Sequence, residues 1–208
     1  LARSGIDADD WERLRALEGE CDVVMPDARG HGRSSAPLQG YRYEDHARDV
    51  IGLVQDLGLA PPILLGHSMG GMTAALVASR CGGRVRALIL VDPTFLSPER
   101  QREVRDSDAL GEHRRLLTLE KSEVLAGSRS RHPHRSSEIL ELLVEARLQA
   151  CERAFDVLTP PNPEYRALVR GIDVPCLLVI GDRPVVSLET ALELRDINPR
   201  LQVERIDG

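Results

Sequence analysis

The sequence predicts an α/β fold built on a doubly wound, mostly parallel sheet, and three observations carry that prediction. Short apolar runs alternate along the chain with amphipathic helical patterns. The central runs are almost continuously apolar, as expected of parallel strands covered by helices. One long, polar, helical stretch interrupts the alternation and reads as an insertion between strands.

Strands are expected at 21–27, 62–66, 85–92, 175–181 and 201–206. A first helix capped by Asp7, with Asp10 at its third position, runs to residue 18. A second spans 44–57, where Ala47, Val50, Ile51, Val54 and Leu57 recur every three or four positions and Gly58 provides the stop. A third runs over 69–79, and another over 188–197 with Ser187 as its cap. The insertion is 97–165. Ser97-Pro98-Glu99 starts it as a capped helix, Ile139, Leu142, Leu143 and Ala146 form an apolar stripe, and Pro160, Pro161 and Pro163 end it. The expected division is 1–96 and 166–208 as the two parts of a core, with 97–165 as a helical cap.

The chemistry is concentrated in Ile63-Leu64-Leu65-Gly66-His67-Ser68-Met69-Gly70-Gly71, where an apolar strand runs through G-x-S-x-G into a helix. Such a turn forces the serine into a strained backbone conformation and holds its hydroxyl clear of the sheet. The small residues on either side let strand and helix pass closely. The helix aims its unpaired N–H groups and the positive end of its dipole at the site. Ser68 is therefore the candidate nucleophile, and the N–H of Met69 the candidate oxyanion donor.

Asp27-Ala28-Arg29-Gly30-His31-Gly32-Arg33-Ser34 forms a second motif about 40 residues upstream. With both motifs in this order, the sequence resembles the α/β-hydrolase family, particularly its bacterial members with a helical cap. The likeness extends over essentially the whole chain and includes Trp11. In the second motif the glycines permit tight turns, while Asp27 and Arg29 are expected to brace the loop and His31 to be structural.

The resemblance implies a triad in the chain order serine, acid, histidine. The family's acid stands three residues after the glycine that closes the strand. Here that glycine is Gly181 and the position holds Pro184, so Asp182 is the nearest carboxylate and the candidate acid. Asp92, after the preceding strand, is the reserve. None of the six histidines, His31, His46, His67, His113, His132 and His134, follows Asp182. The resemblance places the catalytic histidine beyond residue 208 and the second oxyanion donor before residue 1, so this stretch alone is expected to be inactive.

Composition narrows the classes. The 208 residues hold 42% hydrophobic and 29% charged residues, ordinary for a globular protein. A net charge of −6 argues against nucleic-acid binding, which draws on Lys and Arg. No apolar run is long enough for a membrane span. Cys21, Cys81, Cys151 and Cys176 fit neither a zinc site nor a redox pair, so free thiols in a reducing, cytoplasmic compartment are expected. The resemblance implies a carboxylesterase-like hydrolase cleaving an ester, or a related acyl or carbon–carbon bond, of a small, largely apolar substrate, with no metal or cofactor. The alternatives are a cofactor-free haloperoxidase-like enzyme and a non-catalytic ligand-binding relative.

Overall fold

A computed structural model describes residues 22–206. The expectations at Asp7, Asp10, Trp11 and Cys21 lie outside the described residues. The chain divides into two compact units, one holding Leu1–Gln39 with Ser107–Phe155 and the other Gly40–Asp106 with Asp156–Gly208.

The second unit contains a sheet of four described strands, β1 (Ile63–His67), β2 (Ala87–Val91), β3 (Cys176–Ile180) and β4 (Leu201–Arg205), in the order β1-β2-β3-β4. Every neighbouring pair is parallel. Register places Leu64, Leu88, Cys176 and Leu201 side by side, and all four are buried on one face. The alternate positions Leu65, Ile89, Leu177 and Val179 are half-buried. Continuous apolar runs thus give alternating burial, because successive side chains leave opposite faces of a strand.

Helices α1 (Tyr43–Asp56) and α2 (Met69–Arg80) precede and follow β1. Every residue of α2 from Gly70 to Ala78 is buried, and the helix packs against α1, β1, β2 and α7 (Tyr165–Arg170). Each fully buried Leu or Val there contributes about 1.5–3 kcal/mol. The small residues Gly70, Gly71, Ala74, Ala75 and Ala78 allow that enclosure from several sides. Helix α8 (Leu188–Ile197) begins at Ser187, whose hydroxyl accepts the Thr190 N–H at 3.1 Å, as its sequence predicts. The Cys176 thiol is pushed up to about 12 by burial, which makes it an inert core group.

Between β2 and β3 the chain is helical, with α3 (Pro98–Asp106), α4 (Ala109–Leu117), α5 (Lys121–Arg131) and α6 (Ser137–Leu148). Helix α3 clusters with the sheet unit, and α4 to α6 belong to the other. In that other unit His113 is buried, bonds the Ala150 carbonyl at 3.0 Å and rests on the Phe155 ring. The apolar face of α6 differs from the expected stripe: Ile139, Leu140 and Val144 are buried, while Leu142 is 44% exposed. Four similarly apolar residues in a short helix leave its rotation undetermined, and packing against α5 sets it.

The expected strand at 21–27 is a correction. Its described part carries no strand, and Val23, Val24 and Met25 are exposed. A strand exists only through lateral N–H and C=O pairing, and no described strand pairs with this segment. Its β-prone composition therefore finds no ladder to join.

Candidate active site

Parallel register brings the carboxyl ends of β1, β2 and β3 together, with His67 opposite Val91 and Val91 opposite Val179. Ligand sites of open α/β sheets form at this edge. The residues that leave the strands there are Ser68, Asp92 and Gly181-Asp182.

Ser68 has φ 52° and ψ −118°, a conformation costly for a residue with a Cβ. Its N–H donates to the Val91 carbonyl at 3.0 Å, extending the ladder one residue past the strand. Its carbonyl accepts N–H groups from Gly71, Met72 and Thr94 at 3.0, 3.2 and 3.2 Å. The backbone is thus clamped on both sides. The Ser68 hydroxyl makes no capping bond, although the residue holds the N-cap position of α2. The tight crossing explains the glycines. A Cβ on Gly66 would stand 2.2 Å from the Gly70 carbonyl oxygen, and one on Gly71 would meet the Cβ of Pro93 at 2.8 Å. Met69 opens α2, so its N–H has no acceptor within the helix.

The two candidate acids differ. Asp182 is exposed, and its carboxylate faces the Arg205 guanidinium at 3.5 Å. Asp92 is half-buried with φ 39°, and its N–H donates to the Val179 carbonyl at 2.8 Å. Its carboxylate accepts the Val185 N–H at 2.8 and 2.9 Å and the Val186 N–H at 3.1 Å. Those donors directly follow Pro184, the position where the sequence lacks its expected acid. Asp92, though distant in sequence, therefore places a carboxylate against that loop.

The described histidines are placed as follows. His67 precedes Ser68 on β1 and is half-buried, and its Nδ1 has no partner. His46 is buried in α1, His113 lies in the core of the other unit, and His132 and His134 are exposed. His31 bonds the Arg29 carbonyl through Nδ1 at 3.0 Å. In its loop the Asp27 carboxylate accepts the Arg33 N–H at 3.0 Å, and the Asp27 carbonyl accepts the Ser34 hydroxyl at 2.7 Å. Gly32 has φ 51°, and a Cβ there would strike the Asp27 carboxylate. This is the bracing role expected of Asp27.

A cavity of about 340 Å³ lies within the sheet unit. Its polar lining is Tyr43, Thr94, Gln101 and Asn162, with the guanidinium residues Arg100 and Arg183. The Tyr43 and Thr94 hydroxyls bond at 2.8 Å, and burial pushes the Tyr43 phenol upward. Gln101 donates to the Leu96 carbonyl at 2.9 Å and accepts the Asn162 N–H at 2.9 Å. None of these residues stands out in the sequence, because they come from four separated segments and share no spacing. Among the described residues no cluster of three or more His, Cys, Asp or Glu could hold a metal ion, and no helix is long and apolar enough to cross a membrane.

A family model described as "alpha/beta hydrolase fold" matches residues 7–117. The chain is 38% identical over 78 residues to 2-(acetamidomethylene)succinate hydrolase of Mesorhizobium japonicum, covering 38% of this chain and 28% of that protein. It is 26% identical over 221 aligned residues to a non-heme haloperoxidase of Rhodococcus erythropolis, covering 95% and 80%. Among solved structures, a crystal structure of E-2-(acetamidomethylene)succinate hydrolase aligns with a TM-score of 0.77 at 22% identity, covering 95% of this chain and 77% of that one. At that identity the likeness is one of fold. The chain spans about a third or less of the length of several curated relatives it matches, including 32% of a non-heme chloroperoxidase of Streptomyces lividans.

Proposed function

This chain belongs to the α/β-hydrolase fold family, whose model matches more than half of its residues, and from that premise we propose that it is a serine hydrolase acting through Ser68. The observation that carries the reading is the backbone of Ser68, held at φ 52° between a parallel strand and a buried helix with its hydroxyl unused by the helix cap. Strain of this kind persists only where the surrounding structure enforces it.

In the proposed reaction the Ser68 oxygen attacks a carbonyl carbon of an ester or a related acyl or carbon–carbon bond. Its proton passes to a histidine base, and the carbonyl oxygen becomes an oxyanion facing the Met69 N–H. Collapse expels the leaving group, which takes the proton from the histidine, and leaves an acyl group on Ser68. Water then repeats the sequence and releases the acid. None of the described histidines is assigned the role of base. The helical stretch between β2 and β3 is proposed to select the substrate.

Chain order alone would give the acid role to Asp182, which follows β3. A second assignment, to Asp92, is favoured by the hydrogen bonds that hold the Asp92 carboxylate against Val185 and Val186. A cofactor-free haloperoxidase-like activity is supported by the alignment over 95% of the chain with the Rhodococcus protein; it would appear as peroxide- and halide-dependent halogenation that needs Ser68.

The test is covalent labelling. A fluorophosphonate probe should attach to Ser68, and Ser68→Ala should abolish the signal. Labelling that survives in a folded Ser68→Ala protein would remove the nucleophile assignment.

A further inference from the structure

The cavity in the sheet unit has a charge and shape that the proposed hydrolysis does not by itself require. Its walls include Leu96, Val104, Leu158, Pro184 and Val185, an apolar lining for a small organic body. At about 340 Å³ it lies at the small end of ligand-binding cavities. Two of the lining residues are arginines, Arg100 and Arg183, and none is Asp or Glu. Both arginines are exposed, so they stand at the mouth rather than on the floor. Arg100 also reaches Glu103 at 2.6 Å, an exposed pair that a ligand could displace at little cost.

Two walls of the cavity are tied to the site. The Thr94 N–H donates to the Ser68 carbonyl at 3.2 Å, and the Thr94 hydroxyl bonds Tyr43 at the cavity surface. Another part of the lining, Pro184-Val185, is held by the Asp92 carboxylate through the Val185 N–H. A molecule in the cavity therefore contacts Thr94 and Val185, which are hydrogen-bonded to Ser68 and Asp92, while Ser68 itself is not among the lining residues.

We propose that this cavity is the substrate-recognition pocket of the Ser68 site and that it selects acyl substrates carrying a carboxylate, which Arg100 and Arg183 receive at its mouth. The proposal rests on the Ser68 reading and adds a charge requirement to the largely apolar substrate expected from sequence. A carboxylate suits the site because a guanidinium donates two parallel N–H bonds to its two oxygens. The apolar walls take the rest of the molecule.

The test compares two esters of matched length, p-nitrophenyl butyrate and the monoanionic p-nitrophenyl hemisuccinate. Wild-type protein should favour the anionic ester in kcat/KM. In Arg183→Gln and Arg100→Gln the ratio of the two kcat/KM values should fall about 10-fold or more, as for loss of a charge-assisted hydrogen bond. Arg183→Lys, which keeps the charge but loses the fork, should fall between. Ser68-dependent turnover of the neutral ester, with no preference for the anionic one and no change of ratio in the variants, would overturn the pocket while leaving the hydrolase reading intact. If neither ester is turned over by the protein carrying the flanking residues that the resemblance expects, the hydrolase reading fails first. Calorimetric binding of monobutyl succinate then decides the pocket: binding that weakens 10-fold or more in the Arg100→Gln/Arg183→Gln double variant supports it, and no binding by wild type overturns it.

Discussion

The Asp92 carboxylate grips Val185 through its backbone N–H, at 2.8 Å to one oxygen and 2.9 Å to the other. The two residues are 93 positions apart, and the contact joins the end of β2 to the loop after β3. In the family resemblance the acid belongs on that loop, where this chain has Pro184. A carboxylate from the neighbouring strand end thus reaches the loop that lacks one of its own.

The prediction concerns which carboxylate orients the histidine. Where Ser68-dependent turnover is measured, Asp92→Asn is expected to cost on the order of 10⁴, the usual loss for a triad acid. Asp182→Asn, at an exposed carboxylate facing Arg205, should cost far less. Ester hydrolysis by the two variants, with thermal unfolding as a check on folding, decides the matter. Near-normal turnover in Asp92→Asn with loss in Asp182→Asn returns the role to Asp182.

A second prediction separates two glycines. At Gly66 an added methyl would collide with the Gly70 carbonyl and the Gly71 nitrogen, both backbone and neither able to swing aside. Gly66→Ala should destabilise by about 1–3 kcal/mol or more and disturb the elbow. Gly52 lies inside α1 with nothing within 4 Å of the added group. Gly52→Ala should instead stabilise by about 0.5–1 kcal/mol, since alanine loses less entropy in a helix. Melting temperatures that move in the same direction for both would contradict the close-crossing argument.

The third prediction is a pH dependence. Arg166 donates to Glu193 through Nε at 2.7 Å and through a terminal nitrogen at 2.9 Å, joining α7 to α8, and its guanidinium also sits 4.6 Å from the Tyr165 ring centre. The hydrogen bonds from Arg166 hold the Glu193 carboxyl below its usual value of 4.5. A lowered folded-state value means that the stabilisation is fully present above the unfolded value and is lost as pH falls through the folded one. Wild type should therefore be more stable than Glu193→Gln at pH 7, by a small margin because the pair is exposed, and that margin should vanish as pH falls below about 4.5. Parallel acid-unfolding curves would show that the pair carries no such dependence.

Much of the fold is legible in the chain itself. Apolar runs bounded by Gly and Pro mark β1 to β4 to within about two residues, and Ser187 marks the start of α8. The elbow is equally local: Gly66, Ser68, Gly70 and Gly71 stand within six residues, so steric exclusion by backbone neighbours fixes Ser68 wherever the strand and helix form. Asp27 as a loop brace is readable for the same reason, because its partners Arg33 and Ser34 follow within seven residues.

Tertiary structure alone decided the rest. Val23-Val24-Met25 has strand composition, yet strand formation depends on a lateral partner that no local pattern encodes. The rotation of α6 followed its packing, not the strongest stripe in its sequence. Asp92 reads as an ordinary strand-end residue until parallel register carries it beside Val185. The arginine-mouthed cavity gathers side chains from four segments, and only the folded chain brings them within reach of one molecule. Sequence fixes what short-range sterics and periodicity can enforce, whereas contacts between distant residues exist only once the sheet has set their distances.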